Sequence, residues 1–166
     1  MTFADLALGD SVFLDANVFL CHFTVHAQFG SACTNLLDRI ERQDLAGFTS
    51  THVLSEVAHR MMTIEASQRF NWPFAGIAQR LRKNPAQVRQ LTDFRRAIQE
   101  ADRYKIHVLS ISPGLIDAAA ANSQQFGLLS NDALIVAVMQ ANGLTNLASN
   151  DGDFDRVAGI TRYGPV

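Results

Sequence analysis

Cysteine is scarce in this 166-residue chain, with Cys21 and Cys33 its only two. Two cysteines make at most one bridge and lack the spacing of a metal ribbon or a redox pair, which excludes a disulfide-stapled scaffold. A reducing cytoplasm is the expected setting. The opening residues, MTFADLALGD, lack a basic start, an apolar run and a small-residue cleavage site, so secretion is not expected. Long apolar runs are missing too. The longest, ALIVAVM at Ala133 to Met139, falls far short of the roughly 20 residues that cross a bilayer. No internal repeat, low-complexity tract or linker breaks the chain, and its length suits one domain over residues 1–166 with a core of its own.

A strong net charge is also absent: the formal value is −2, which argues against a protein that coats nucleic acid through bulk electrostatics. The charge is unevenly spread, however. Nine of the 14 Lys and Arg fall between Arg69 and Lys105, opposed there only by Asp93, Glu100 and Asp102, so that segment carries about +6. The remainder, with five bases and 13 acids, carries about −8. An acidic pocket beside a basic flank suits a metal-dependent enzyme acting on a phosphate polymer, although a charge run alone also describes a solvated helical face.

Apolar patterning divides the chain into alternating strands and helices. Ser11 to Asp15, Phe48 to Ser50, Ile106 to Ile111, Thr145 to Ser149 and, at the edge, Ile160 to Tyr163 read as strands. Between them fall helices capped by Ser31 and ending near Gln43, from His52 to Ala66, from Ser112-Pro113 to Gly127, and from a Ser130 cap to Ala141. The break RFNWPF at Arg69 to Phe74 leads into an Arg-rich stretch. Asn84-Pro85 then opens a helix with Val88, Leu91, Ile98 and Ala101 inward, forming an antiparallel arm. Such alternation predicts an α/β fold of three layers, α/β/α, on a mostly parallel sheet of four to five strands.

Carboxylates recur where these strands end. Asp15 closes FLDAN, Glu56 lies in TSTHVLSEV, Asp132 opens DALIVA, and Asp151 and Asp153 follow the strand in ASNDGDF. Each has an ordinary explanation, since Asp closes turns and favours helix starts. Two are harder to dismiss. Asp132 shares the face of Ile135, Val136 and Met139, and Glu56 lacks the Ser or Thr three residues earlier that a capping box needs. Arg60, four residues after Glu56, reads as its surface ion-pair partner.

In a parallel sheet, strand carboxyl ends converge on one crevice, so acids distant in sequence are brought together. Like charges so close repel unless a cation sits among them. An all-oxygen set points to Mg²⁺ or Mn²⁺. Asn17, Ser149 and Asn150 supply neutral groups at the same edge that can orient the acids. Cys21, His22 and His26 lack a fourth ligand, and zinc is not expected there.

Taken in order, FLDANVFL, the Glu of STHVLSEV, SNDALIVA and LASNDGDF resemble the PIN-domain nucleases, and in particular the small VapC-type toxins of bacterial toxin–antitoxin pairs. The resemblance runs from Ser11 to about Phe154. It implies a PIN-like fold and metal-dependent hydrolysis of RNA, leaving 3′-hydroxyl and 5′-phosphate ends. It further implies a homodimer and an inhibitory antitoxin partner. Under it, Asp15 and Asp132 bind the metal, Asp151 or Asp153 completes the shell, and Glu56 positions or activates water. Ser149 stands where the family usually has Thr, which keeps the hydroxyl.

The basic arm supplies Arg69, Arg80, Arg82 and Lys83 as candidates for the RNA backbone. Phe70, Trp72 and Phe74 either stack bases, pack the turn between helices, or form a dimer or antitoxin groove. Two other classes compete: a catalytically silent PIN-like RNA-binding or regulatory protein, and an aspartate-nucleophile phosphatase suggested faintly by FLDAN. The phosphatase needs a second acid where Asn17 stands and a lysine that only Lys83 or Lys105 can supply.

Overall fold

The computed structural model describes all residues, Met1–Val166. After a short 3₁₀ turn at Phe3–Asp5, strand β1 (Ser11–Leu14) leads into α1 (Ala16–Phe23) and α2 (Gly30–Glu41), and β2 (Ala46–Ser50) follows. Helix α3 (Thr51–Phe70), α4 (Ile77–Lys83), α5 (Pro85–Val88) and α6 (Asp93–Arg103) precede β3 (His107–Leu109). Next come α7 (Pro113–Phe126), α8 (Ser130–Ala141), β4 (Asn146–Ala148), a 3₁₀ turn at Gly152–Arg156 and β5 (Thr161–Tyr163).

All five strands are parallel, in the order β3-β2-β1-β4-β5. The chain first moves outward from β1 through β2 to β3, then crosses back to β4 on the other side of β1. Right-handed crossovers therefore place α1 to α6 on one face and α7 with α8 on the other, giving the three layers expected from the alternation. The order reverses between β1 and β4, and the crevice of an open parallel sheet opens at that point, beyond the strand carboxyl ends. Val12, Phe13, Leu14, Leu147 and Ala148 are fully buried there, as strands covered on both faces must be.

Helix α3 does two jobs. Its first half packs Val53 and Val57 into the main core, while its second half runs on to a smaller cluster of Ala66, Ile77, Leu81 and Leu91. Glu65, buried on α3, accepts hydrogen bonds from the Thr92 and Asp93 amides, tying the end of α3 to the start of α6. This is the expected helical arm, built differently in detail. The helix anticipated from Asn84-Pro85 breaks after one turn, and α6 turns Ala97 and Ala101 inward while Ile98 is exposed.

Other boundaries move as well. α1 was not anticipated, because ANVFLCHF is apolar almost throughout and buries Ala16, Val18, Phe19 and Leu20, leaving no polar stripe for periodicity to register. Ser31 lies inside α2 and Ser130 inside α8, neither capping by side chain; α3 runs four residues beyond Ala66 to Phe70. Gly47 lies within β2, paired with Val12. A Cβ at Gly47 would stand 2.7 Å from Ile40 Cγ2, so glycine lets α2 approach the sheet. No helix is long and apolar enough to cross a membrane.

Candidate active site

At the crevice beside β1 and β4 lies a cavity of about 470 Å³ lined by Asp15, Glu56, Asp132 and Asp151, with Asn17, Arg60, Leu129, Ser130 and Asn131 among the other walls. Each acid comes from a different element. Asp15 follows β1 and is the N-cap of α1; Glu56 lies in the second turn of α3; Asp132 is in the first turn of α8; Asp151 opens the 3₁₀ turn after β4. Three smaller hollows elsewhere on the surface, of about 330, 410 and 270 Å³, lack this convergence of acids.

Asp15 is buried and fully braced. Its Oδ1 accepts from the Ala16 amide at 2.6 Å, and its Oδ2 accepts from Asn17 Nδ2 at 2.5 Å and from Ser149 Oγ at 2.7 Å. Ser149 Oγ in turn accepts from Asn17 Nδ2 at 3.1 Å and from the Asp151 amide at 3.0 Å. The Asn150 amide donates to Asn17 Oδ1 at 3.1 Å. The neutral groups expected at this edge thus form one network that fixes the β1 and β4 ends to each other.

Burial pushes the Asp15 carboxyl up to about 6, helped by Glu56 and Asp132 and opposed by the Ser149 and Ala16 hydrogen bonds. Asp132 is raised by burial first and then by Asp151, Glu56 and Asp153. Carboxylates that raise one another's pKa hold negative charge the protein alone does not neutralise.

Asp132, Asp151 and Asp153 can each turn one oxygen so that all three lie within 4.8 Å of one another. An all-oxygen donor set at that spacing fits a hard divalent cation, and no His or Cys lines the cavity. Asp151 is the inward member of its loop. Asp153 lies outside the cavity wall, half exposed, and pairs with Arg156. Asp15 is on the cavity wall but outside that three-acid group.

The predicted cations are spread along the arm. Arg69 donates to the Gln90 carbonyl at 2.5 Å and lies 3.6 Å from Glu65. Arg80 stacks 4.4 Å over the Trp72 ring, which itself packs against Phe70. Arg82 lines a separate hollow of about 270 Å³ between α3, α4 and α5, and Lys83 ends α4. Phe70 and Trp72 therefore pack the turn between helices, whereas Phe74 is exposed.

Sequence reasoning assigned Arg60 to an ion pair with Glu56. No such pair forms, and Arg60 faces the cavity instead. Its spacing from Glu56, one helical turn, was the available signal. Leu129, exposed at the cavity lip, was missed because it precedes its helix and belongs to no stripe. His22 bridges Thr34 and Tyr104, and His26 accepts from the Gln28 and Phe29 amides, so the two rings serve separate local roles. Neither Lys83 nor Lys105 lines the cavity, and Asn17 fills the position where a phosphatase needs its second acid.

A parallel α/β sheet with an acidic, oxygen-only crevice at its switch point defines a class of fold and site suited to divalent-cation chemistry. Within that class, residues 12–160 match the family model described as PIN domain, and the chain belongs to that family. No curated protein matches it in sequence. Solved structures share its fold. They include VapBC2 from Rickettsia felis bound to a promoter DNA fragment, at 15% identity and TM-score 0.58, covering 94% of this chain and 99% of that one. Mycobacterium tuberculosis VapC20, a sarcin-ricin loop cleaving toxin, is 18% identical with TM-score 0.57 over 90% of this chain and 96% of its own. FitAcB from Neisseria gonorrhoeae is 14% identical with TM-score 0.53 over 92% and 96%.

Proposed function

We propose that this protein is a Mg²⁺- or Mn²⁺-dependent endoribonuclease and the toxin of a cytoplasmic toxin–antitoxin pair. One observation carries the reading: four carboxylates from four separate elements line a single cavity at the sheet's switch point. Membership of the PIN family, whose members are generally nucleases, points the same way. The similar VapC and VapBC structures support an antitoxin partner.

In this reading Asp132, Asp151 and Asp153 would hold the cation, with Asp15 supplying the fourth carboxylate from the cavity wall. A bound divalent ion lowers the pKa of water and offsets charge on the phosphate oxygens. Glu56, across the cavity on α3, orients the attacking water and accepts its proton. The water oxygen bonds to phosphorus, the bond to the 3′-oxygen breaks, and that oxygen leaves as a hydroxyl after taking a proton from solvent. Asn17, Ser149 and Asn150 keep Asp15 in register. Arg69, Arg80, Arg82 and Lys83 follow the RNA backbone along the arm, and the protein works as a homodimer until the antitoxin covers it.

The test is incubation with RNA and separately with a phosphate monoester, in Mn²⁺ or with chelator. Cleavage of RNA that needs Mn²⁺ and drops about 100-fold or more in Asp132→Asn is expected. Binding of RNA without cleavage in any divalent ion defeats the enzyme reading.

A further inference from the structure

Arg60 is a cation in an acidic cavity that pairs with none of its acids. It lines the wall with Asp15, Glu56, Asp132 and Asp151, and it is the one Lys or Arg there. No carboxylate lies within ion-pair distance of its guanidinium, and its side chain donates no hydrogen bond within the protein. Other arginines near this edge are already committed. Arg156 binds Asp153 and the Gly127 carbonyl, and Arg162 forks onto Asp155 while reaching the Ser149 carbonyl.

The electrostatics say what that free guanidinium is for. Four ionised carboxylates and Arg60 leave the lining at about −3, and one divalent ion brings it only to about −1, which still repels an entering phosphodiester. Arginine offers five donors in a rigid fork that matches phosphate oxygens in pairs, and it stays charged at every working pH. Ser130 and Asn131, both exposed in the first turn of α8, line the same cavity, so it has donors from two helices.

We propose that Arg60 is a substrate-contacting residue that grips the non-bridging oxygens of the RNA phosphate entering the acidic cavity. This rests on the nuclease reading above and assigns the cation of the cavity itself rather than those of the arm.

The experiment compares wild type, Arg60→Ala and Arg60→Lys, with Arg42→Ala as a surface control. A short labelled single-stranded RNA is titrated in Ca²⁺ by anisotropy at several salt concentrations, Mn²⁺ binding is measured by calorimetry, and cleavage is followed in Mn²⁺. Arg60→Ala is expected to weaken RNA binding about 10-fold and reduce the salt slope by about 0.7, the value for one lost contact on a single strand. Its Mn²⁺ affinity is expected to stay equal or rise, because a like charge has been removed. Arg60→Lys should keep the salt slope yet cleave about 10-fold more slowly, since a point charge replaces the fork. RNA affinity and salt slope unchanged in Arg60→Ala overturn the proposal, as does a loss of RNA binding matched by an equal loss of Mn²⁺ binding. Wild type that binds RNA through Arg60 but never cleaves it upholds the contact and sinks the nuclease reading instead.

Discussion

Ser149 Oγ donates a 2.7 Å hydrogen bond to Asp15 Oδ2 across 134 positions of sequence, and through it the ends of β1 and β4 become one site. The serine is fully buried and also receives Asn17 Nδ2 and the Asp151 amide.

Ser149→Ala removes this hub while leaving the volume nearly intact. The half-buried Asp151 amide loses its acceptor, Asn17 Nδ2 keeps only Asp15 Oδ2, and Asp15 loses one of its three donors. The expected cost is about 1–3 kcal/mol in urea unfolding. Because the Ser149 bond holds the Asp15 pKa down, its loss raises that pKa further and weakens Mn²⁺ binding at neutral pH. Unchanged Mn²⁺ affinity in a folded Ser149→Ala protein contradicts the role given to the network.

A pH dependence follows from Asp15 itself. Its carboxyl keeps a proton up to about 6 in the folded chain, against 3.8 ordinarily. Between those values the folded state binds a proton that the unfolded state has released, so stability without metal falls as pH rises through that window and is level above it. The full effect is on the order of 3 kcal/mol. Asp132 shifts in the same direction. A divalent cation competes with the protons, so Mn²⁺ is expected to raise the melting temperature more at pH 8 than at pH 5, and cleavage to rise through pH 6. Equal thermal shifts at both pH values rule this account out.

Most of the sheet, and the gathering of Asp15, Glu56, Asp132 and Asp151 at one crevice, were legible in the sequence, because strand-end carboxylates and buried apolar runs are local signals. Asp132 sits on the buried face that Ile135, Val136 and Met139 define, as the helical spacing required. What escaped depended on contacts between distant parts. The apolar segment of α1 has no period, since neighbours cover it on several sides. Arg60 was assigned to Glu56 by spacing alone, yet the fold opens a cavity where a solvated ion pair was expected. Glu65 gave no hint of its partners, Thr92 and Asp93, which lie 27 and 28 residues away.

Gly47 offers a test of the packing that sets the sheet beneath the site. A methyl group there meets Ile40 Cγ2 at 2.7 Å and Cδ1 at 3.0 Å, and Ile40 is fully buried. Gly47→Ala is expected to cost about 1–3 kcal/mol by overpacking. Shortening the opposing side chain makes room, so Gly47→Ala with Ile40→Ala should be less destabilised than the sum of the singles by about 1 kcal/mol or more. Additive costs show that the close approach of α2 is not what requires glycine.

Glu65 and Arg69 separate a structural carboxylate from a surface pair on one helix. Glu65 is 6% exposed and accepts three hydrogen bonds of 3.0 Å from the Thr92 and Asp93 amides, in effect capping α6 from a neighbouring helix. Amides at a helix start carry partial positive charge and have no partner within the helix, and a buried carboxylate aimed at them satisfies those donors. Arg69, nearly half exposed, adds only a 3.6 Å contact to the same acid. Glu65→Ala is therefore expected to cost about 2–3 kcal/mol and to speed amide exchange at the start of α6. Arg69→Ala should cost less than about 1 kcal/mol while weakening RNA binding, if the arm follows the backbone as proposed. A larger stability loss from Arg69→Ala than from Glu65→Ala reverses this ordering and makes the ion pair, not the cap, the tie between α3 and α6.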